Sequence, residues 1–435
     1  MHAATLGLIF SLLGAGSPVP MQPMPWPTSI TTHQWSAPWL AQLTATDPQA
    51  EAIVEQYVSV LADQGFSTAI QGVWVQGGAA SLANHQGTLP LPAASLTKMA
   101  TTLAALMTWP VDHQFETLVG YRGTLQNGVL QGDLVIQGGR DPYFVWEEAI
   151  ALGNALQIMG VQRVTGNLVI TGDFSMNFFP DPNYSGELLR EGLDAGRWSA
   201  DAEYYYTTLP SGTPRPQLAI EGAVVLGQIN PEAPPQWLIR HKSLPLVALR
   251  KAMNIYSNNA MADLIALGVG GANTVAAKVV EQTQLPLEEV RFINGSGLGV
   301  ENQMSPRAVV ATLLATQQLL KPHGLSVSDV MPVMGQEVGT LVGRNLPPQS
   351  ALKTGSLAEV SSLAGVFHSR DRGPIWFAIL NQGSDLEGFR VQQDSLLRTL
   401  EAHWGSAPPP PELQPKIKLE QDPYRLGDPQ RNQVY

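Results

Sequence analysis

Ser95 and Lys98 are the first residues whose types and spacing could carry chemistry. They stand at the start of the stretch Leu96 to Met107, which is rich in Ala and Leu and predicts a helix ending before Pro110. Residues three apart share a helix face, so the Lys98 amine can lie beside the Ser95 hydroxyl. A serine nucleophile needs such a base, and the amino end of a helix offers backbone donors to an oxyanion.

The spacing of Ser95 and Lys98 does not by itself establish a site. A serine at a helix start also fits a plain N-cap, and the S-x-x-K spacing recurs at Ser350 to Lys353. That second match lies in a predicted strand, where positions three apart point to opposite faces. Lys98 must also be neutral to act as a base; burial and a nearby cation, for which Lys353 is the candidate, would lower its pKa.

Two further motifs add groups that peptide hydrolysis requires. Ser257-Asn258-Asn259 supplies a hydroxyl for proton relay and an amide to orient a peptide. Lys353-Thr354-Gly355 opens a predicted strand whose edge could pair with the backbone of a substrate. An S-x-N pattern also occurs at Ser175 to Asn177, where it follows a strand and predicts a turn. The order of the three motifs, and the setting of each, favours one site.

The elements that must position these motifs predict a split α/β domain. Residues 30–115 and 241–405 combine helical periodicity with a few strands and are interpreted as two halves of one domain. Residues 116–240 show short alternating strands broken by turns such as Asn127-Gly128, which predicts an inserted β-rich subdomain. Residues 406–435 are proline-rich and charged, and predict an extended, solvated, disordered tail.

The N-terminus predicts an exported protein. An apolar run from Leu6 to Leu13 is too short to span a bilayer and is followed by small residues, so residues 1–17 are interpreted as a possible signal peptide. The run lacks a preceding Lys or Arg, which leaves a short anchor or a mis-set start as alternatives. Residues 18–29 form a proline-rich spacer.

Composition excludes several classes of function. The chain has 435 residues and a net charge of -11, which is unlike the basic surface that nucleic-acid binding requires. It has no cysteine, which excludes thiol catalysis and disulfides, and its eight histidines are scattered, so we predict neither a metal nor a cofactor. Gly295-Ser296-Gly297 fails the nucleophile-elbow pattern because residue 294 is Asn, and Ser296 is interpreted as structural.

The three motifs resemble those of penicillin-binding proteins and of class A or C β-lactamases. More narrowly, the chain resembles the low-molecular-mass class C penicillin-binding proteins, the D-Ala-D-Ala carboxypeptidase and endopeptidase family S13. The resemblance runs from about Ser67 to His403. Further stretches that carry it are Gly132-Asp133-Leu134, Asp141-Pro142, Gly166-Asn167-Leu168-Val169, His241 to Leu264, Gly295 to Leu298, Asn302, Ser305-Pro306, Gly339-Thr340-Leu341 and Arg344.

The resemblance implies a β-lactamase/transpeptidase-like domain, with an antiparallel sheet flanked by helices, and a role for each motif residue. Ser95 would form an acyl-enzyme, Lys98 would take its proton, and Ser257 would relay a proton to the leaving D-alanine. Other residues would bind the substrate or its oxyanion. They are Asn259 on the acyl side, Lys353 and Thr354 at the terminal carboxylate, Gly355 on the substrate strand, and the amides of Ser95 and Ser356 at the oxyanion.

The resemblance further implies a serine-type D-Ala-D-Ala carboxypeptidase or endopeptidase that acts on peptidoglycan peptides in the periplasm or cell envelope. β-Lactam antibiotics are then expected as inhibitors. Two alternatives stay open: a catalytically silent peptidoglycan-binding protein of the same fold, and a β-lactamase, for which the long insertion is unexpected. The chain departs from the family pattern at Asn294, Arg140 and Ser356, where Asp, Gly and Thr are expected.

Overall fold

The computed structural model describes residues 47–435. The predicted signal segment 1–17, the spacer 18–29 and the first part of the 30–115 block lie outside the described residues. The α-helices of residues 47–435 are α1 Pro48–Asp63, α2 Thr97–Leu106, α3 Trp146–Ile158, α4 Pro182–Gly192, α5 Ala200–Tyr206, α6 Leu246–Ile255, α7 Asn259–Val269, α8 Ala272–Thr283, α9 Pro306–Leu320 and α10 Leu386–Trp404.

Strands complete the described part of the chain. They are β1 Gln71–Gly77, β2 Ala80–His85, β3 Leu91–Pro92, β4 Glu116–Gln126, β5 Val129–Gly139, β6 Arg163–Val164, β7 Leu168–Asp173, β8 Ala219–Ile220, β9 Val224–Leu226, β10 Gln236–Lys242, β11 Val290–Arg291, β12 Gln303–Met304, β13 Ala351–Leu357, β14 Val360–Ser369, β15 Gly373–Gln382 and β16 Asn432–Val434. These strands form three sheets.

A five-stranded antiparallel sheet forms the centre of the body, in the order β13-β14-β15-β1-β2. Alternate residues of its strands face opposite layers. Val73 and Val75 pack with α1 and α10, whereas Trp74, between them in sequence, packs into a core built from α2 and α6–α9. The sheet flanked by helices on both faces is the fold that the sequence predicts. The strand β13, which carries Lys353, forms one edge of the sheet.

The segment from β4 to β10 contributes most of a second, eight-stranded sheet. This sheet is antiparallel from β16 through β10 and β4 to β5, while β5 pairs with both β6 and β7 in parallel. The sequence predicts its strands but not its helices α3, α4 and α5. Trp146 to Gly153 of α3 are all buried, so no polar face reveals a helical period in that stretch. The expected boundary at residue 240 falls within β10.

The C-terminal segment 406–435 differs from the extended, solvated tail that its composition predicts. Leu413 and Ile417 are buried, and the backbone amides of Lys416 and Ile417 donate to the Asp329 carboxylate at 2.5 and 3.0 Å. Farther along, β16 pairs with β10 and so completes the second sheet. The segment is extended between these points, but a few widely spaced side chains attach it to the body and then to the second sheet.

A buried polar cluster, which we call the tail anchor, holds the end of this segment. It consists of Glu148, His241, Arg431 and Asn432. The Arg431 guanidinium donates to the Glu148 carboxylate, the Gly427 amide donates to the same oxygen at 3.1 Å, and His241 Nδ1 lies 2.8 Å from Asn432 Oδ1. Burial is the main cause that lowers the pKa of His241, so its imidazole is neutral near neutral pH.

Among residues 47–435, no single helix is both long and apolar enough to cross a membrane. The adjacent helices α7 and α8 reach that length and composition only together, with a bend of 75° between them.

Candidate active site

Ser95 lies in a 3₁₀ turn, Ala94–Leu96, that leads directly into α2. The residue before it, Ala94, has a φ of 48°, a conformation that L-residues rarely adopt and that is strained outside glycine. A Cβ at Gly297 would lie 1.8 Å from the Ala94 carbonyl oxygen, so only glycine allows the loop at 297 to approach this turn. The turn therefore holds Ser95 in a strained, closely packed position.

The Lys98 side chain is fully buried and contacts three oxygen atoms. Its Nζ lies 2.9 Å from Ser95 Oγ, 2.8 Å from Asn259 Oδ1 and 2.8 Å from the Ser296 carbonyl oxygen. None of these partners is a carboxylate. Burial lowers the pKa of Lys98 to about 7, while the charge of Asp263 acts in the opposite direction. A substantial fraction of Lys98 is therefore neutral near neutral pH, as a base must be.

A second lysine contacts the second hydroxyl. Lys353 Nζ lies 2.9 Å from Ser257 Oγ and 2.7 Å from the Thr354 carbonyl oxygen. Burial, and then the like charge of Lys98, lower the pKa of Lys353 well below its usual range. The sequence predicts Lys353 as a cation that lowers the pKa of Lys98. Instead, the charge of Lys98 lowers the pKa of Lys353, and burial is what lowers the pKa of Lys98.

The strand β13 packs directly against the turn that carries Ser95. Ser362 on the neighbouring strand donates to the Ala93 carbonyl oxygen at 2.9 Å. A Cβ at Gly355 would lie 2.3 Å from Ser362 Oγ and 2.9 Å from the Ser95 backbone nitrogen. Glycine at 355 thus permits the approach of β13 to the Ser95 amide. On the same strand, Thr354 Oγ1 donates to Thr340 Oγ1 at 2.7 Å.

These groups open onto a cleft of about 420 Å³ between the Ser95 turn and the edge strand β13. At its outer end, Arg390 donates to Ser356 Oγ at 3.2 Å. The residues that line the cleft are Ser95, Ser257, Thr340, Val342, Gly343, Arg344, Thr354, Gly355, Ser356, Ser361, Ser362, Glu387 and Arg390. The cleft combines two hydroxyls, each beside a buried amine, with a strand edge that can pair with an extended peptide.

The structure brings all three motifs to this cleft and leaves outside it the serines of the two repeated patterns, Ser350 and Ser175. Ser350 precedes β13 and donates to the Pro347 carbonyl oxygen, and Ser175 lies beside Asp141 in the segment of the second sheet. Ser296, interpreted from the sequence as structural, contributes its backbone carbonyl to Lys98. No group of three or more His, Asp or Glu side chains in residues 47–435 is arranged to hold a metal ion.

The sequence analysis assigns no role at the site to three of its residues, Asp263, Thr340 and Arg390, although the first two lie in stretches that carry the family resemblance. Asp263 Oδ1 accepts from the Gly295 amide at 3.0 Å, which holds the loop whose next carbonyl contacts Lys98. Its position four residues after Asn259 on α7 is a signal that could have identified it, since such residues share a helix face. Thr340 and Arg390 lie on a loop and on α10, and their place depends on contacts far away in sequence.

The departures at 294 and 140 have local explanations. The Asn294 amide donates to the Leu298 carbonyl oxygen at 2.6 Å, while its oxygen accepts from the Gly297 amide at 2.8 Å and from Ser296 Oγ at 3.2 Å. An aspartate could make the last two contacts but not the first. Arg140 has a φ of 68°, a region that favours glycine, and its guanidinium pairs with an acidic side chain on β7.

This chain is similar to several curated proteins and solved structures. D-alanyl-D-alanine carboxypeptidase DacB of Haemophilus influenzae is 26% identical over 395 residues, covering 67% of this chain and 80% of its own. The Bdellovibrio bacteriovorus predatory endopeptidase Bd3459, in complex with immunity protein Bd3460, covers 82% of this chain and 98% of its own at a TM-score of 0.69 and 20% identity. Penicillin G acylated Bd3459 has a TM-score of 0.66 at 22% identity, with the same coverage.

The solved structures confirm the fold expected from the sequence. A sequence model of the D-Ala-D-Ala carboxypeptidase 3 (S13) family matches residues 53–214 and 215–402, most of the described chain and all of the motif residues above. Residues beyond 402, including the tail anchor residues Arg431 and Asn432, lie outside the match. The chain belongs to the D-Ala-D-Ala carboxypeptidase 3 (S13) family, and is therefore an enzyme of the serine-type carboxypeptidase class.

Proposed function

We propose that this chain hydrolyses the terminal D-Ala-D-Ala bond, or a D-centred cross-link, of peptidoglycan stem peptides through an acyl-enzyme on Ser95, and that β-lactams inhibit it by acylating the same residue. One observation carries the proposal: Lys98 Nζ lies 2.9 Å from Ser95 Oγ while contacting no carboxylate. The lowered pKa of Lys98, about 7, suits a base that must accept and release a proton near neutral pH.

The proposed acylation begins with proton transfer from the Ser95 hydroxyl to neutral Lys98. Ser95 Oγ then bonds to the carbonyl carbon of the penultimate D-alanine. The amides of Ser95 and Ser356 would donate to the resulting oxyanion, a role supported by the close approach of β13 to the Ser95 amide. When the carbon–nitrogen bond breaks, the amine of the departing D-alanine takes a proton from Ser257, which Lys353 resupplies across 2.9 Å.

Binding of the substrate would change the charge at Lys353. The terminal carboxylate of a D-Ala-D-Ala peptide would meet Lys353 and Thr354, and a neighbouring anion favours the charged ammonium. Asn259, whose Oδ1 accepts from Lys98, would use its remaining amide protons on the acyl side of the peptide. After acylation, Lys98 releases its proton to solvent, as its pKa of about 7 permits, and Lys353 regains one. Water then attacks the ester carbonyl, Lys98 takes a proton from that water, and Ser95 Oγ takes this proton from Lys98 as the ester bond breaks.

We also propose the domain organisation expected from the sequence, with residues 30–115 and 241–405 as one catalytic domain and 116–240 as a guest. Separate hydrophobic cores support it: one includes Leu134, Phe144 and Ile170 from the guest segment, and the others surround the five-stranded sheet. Action on peptidoglycan implies that the chain is exported to the periplasm or cell envelope.

The deciding experiment is intact-mass analysis of the purified protein after incubation with benzylpenicillin, with Ser95→Ala as the matched control. We expect one adduct of the mass of the intact antibiotic, lost in Ser95→Ala, that decays slowly. The same samples are then given an acylated peptide ending in D-Ala-D-Ala and a cross-linked muropeptide dimer, with release of D-alanine and of monomers measured by mass spectrometry.

The outcomes separate the proposal from its alternatives. Absence of any adduct on folded protein would support a binding protein without turnover and would contradict the proposal. Rapid loss of the adduct with accumulation of hydrolysed antibiotic would support a β-lactamase. Release of free D-alanine identifies a carboxypeptidase, whereas conversion of dimer to monomer identifies an endopeptidase.

A further inference from the structure

A cavity of about 640 Å³ lies where the C-terminal segment crosses the body, and it shares no lining residue with the catalytic cleft. Its apolar walls are Leu325, Trp376, Pro408, Pro410 and Leu413. Two of the prolines and Leu413 come from the C-terminal segment, beyond the range that matches the family. The volume lies within the range of about 300 to 1,000 Å³ that is usual for small-molecule sites in proteins.

A buried histidine faces this cavity. His368, on β14, is 4% exposed and lines the cavity, and neither of its ring nitrogens has a hydrogen-bond partner among the described residues. Burial lowers its pKa to about 4, so the ring is neutral and presents one donor and one acceptor. Leaving buried polar atoms without hydrogen-bond partners is unfavourable. Neither nitrogen is accessible to solvent, so a turn of the ring toward the cavity would let the hydroxyl group of a ligand satisfy one of them.

The rim of the cavity carries charge. Lys321 and Lys416 are both exposed lining residues, and neither forms an ion pair within residues 47–435, although Lys416 donates to the Gly324 carbonyl oxygen. Glu412 is the acidic lining residue, so the rim has a net charge of about +1 (two lysines and one carboxylate) on a chain whose net charge is -11. A local excess of positive charge on an acidic protein favours an anionic ligand.

We propose that this cavity binds a small organic anion with an apolar body and a hydroxyl group, such as a hydroxylated medium-chain carboxylate. Its carboxylate would lie at Lys321 and Lys416, its apolar body against Trp376 and Leu413, and its hydroxyl at His368. The site is independent of the proposed peptidase chemistry, since no group of the catalytic cleft contributes to it.

The test is isothermal titration of the full chain with 10-hydroxydecanoate, decanoate and decyltrimethylammonium. We expect one saturable site for 10-hydroxydecanoate, roughly tenfold weaker binding of decanoate, and no saturable binding of the cation. Lys321→Met with Lys416→Met should weaken 10-hydroxydecanoate about tenfold. Lys278→Met, which removes the same charge on α8 away from the cavity, should leave its affinity unchanged.

The role of His368 is tested by comparing the affinities of 10-hydroxydecanoate and decanoate. His368→Phe should abolish the preference for 10-hydroxydecanoate over decanoate, whereas decanoate itself should bind as well as it does to the unaltered chain. If His368→Phe fails to fold, the lysine variants still decide the matter, because Lys321 and Lys416 are exposed. Absence of saturable binding, or equal binding of the anions and the cation, would overturn the proposal.

Discussion

Two buried polar clusters of this molecule differ in what their cations contact. In the catalytic cleft, Lys98 and Lys353 meet hydroxyl, amide and carbonyl oxygens, with no carboxylate in contact, and burial lowers both pKa values. In the tail anchor, Arg431 bonds directly to the Glu148 carboxylate. Similar burial thus prepares an amine for proton transfer when its partners are neutral, and fixes an ion pair when the partner is charged.

The largest effect is expected from removing the amine of the cleft. Lys98→Met should slow acylation by benzylpenicillin about a thousandfold, because Ser95 loses its proton acceptor. The folded state should keep its stability, since no buried carboxylate is left without a partner. Stopped-flow or mass-resolved acylation rates and the midpoint of thermal unfolding measure the two quantities. A slow variant that has also lost most of its stability would show that Lys98 is structural.

The tail anchor should show the reverse pattern. Arg431→Met leaves Glu148 buried without its cation, and we expect a loss of about 3 to 5 kcal/mol in the free energy of unfolding. Acylation of the remaining folded protein should change by less than about twofold. Arg370→Met, which breaks an ion pair exposed on the surface, is the control and should leave the urea-unfolding midpoint essentially unchanged.

The carboxyl groups beside the tail anchor predict a pH-dependent stability. Burial raises the pKa of Glu147 and of Asp141 to about 7. A carboxyl with a raised folded-state pKa contributes stability that is complete below its unfolded pKa, near 4.5 for Glu, and is lost as the pH rises to about 7. Glu147→Gln should therefore stabilise the protein at about pH 8, by up to about 3 kcal/mol, and not at about pH 4. Equal effects at both pH values would contradict this explanation.

The smallest expected effect is a shift in the pH dependence of the acylation rate. Acylation requires neutral Lys98, so its rate should rise with pH and reach half its maximum near 7. The charge of Asp263 raises the pKa of Lys98, so Asp263→Asn should lower that pKa and move the half-maximum to lower pH. Asparagine retains an oxygen for the Gly295 amide. An unchanged midpoint, with only a lower plateau, would assign Asp263 to loop structure alone.

The contrast between the catalytic cleft and the tail anchor also explains which parts of the structure the sequence could predict. The three motifs of the cleft are short, and each lies at the start of a helix or within one strand, so residue types and spacing predict them. The folded chain brings together motif residues that are far apart in sequence, such as Lys98 and Asn259. The order of the motifs along the chain was nevertheless enough to predict that they meet. The sequence does not reveal helix α3 because its first part, Trp146 to Gly153, is buried at every position, and such a stretch shows no amphipathic period.

The structure differs most from the sequence-based prediction in the C-terminal segment. Its prolines predict an extended chain, and it is extended, but composition carries no information on where a few side chains attach. Arg431 and Glu148 lie 283 positions apart, and Ile417 and Asp329 lie 88 apart. Such single contacts leave no periodic pattern in either segment. The cavity at His368 could not be expected for the same reason, since the C-terminal segment supplies part of its wall.

The backbone beside the two reactive hydroxyls has a consequence for directed evolution. Ala94 and Ser257 have φ values of 48° and 50°, and such conformations are unfavourable by about 1 to 3 kcal/mol each. A screen for thermostability alone should favour glycine at 94, because glycine adopts this conformation without strain. A screen for acylation should retain alanine, whose stiffer backbone keeps Ser95 in place. The two screens, applied in parallel to one library, would therefore select different residues at position 94.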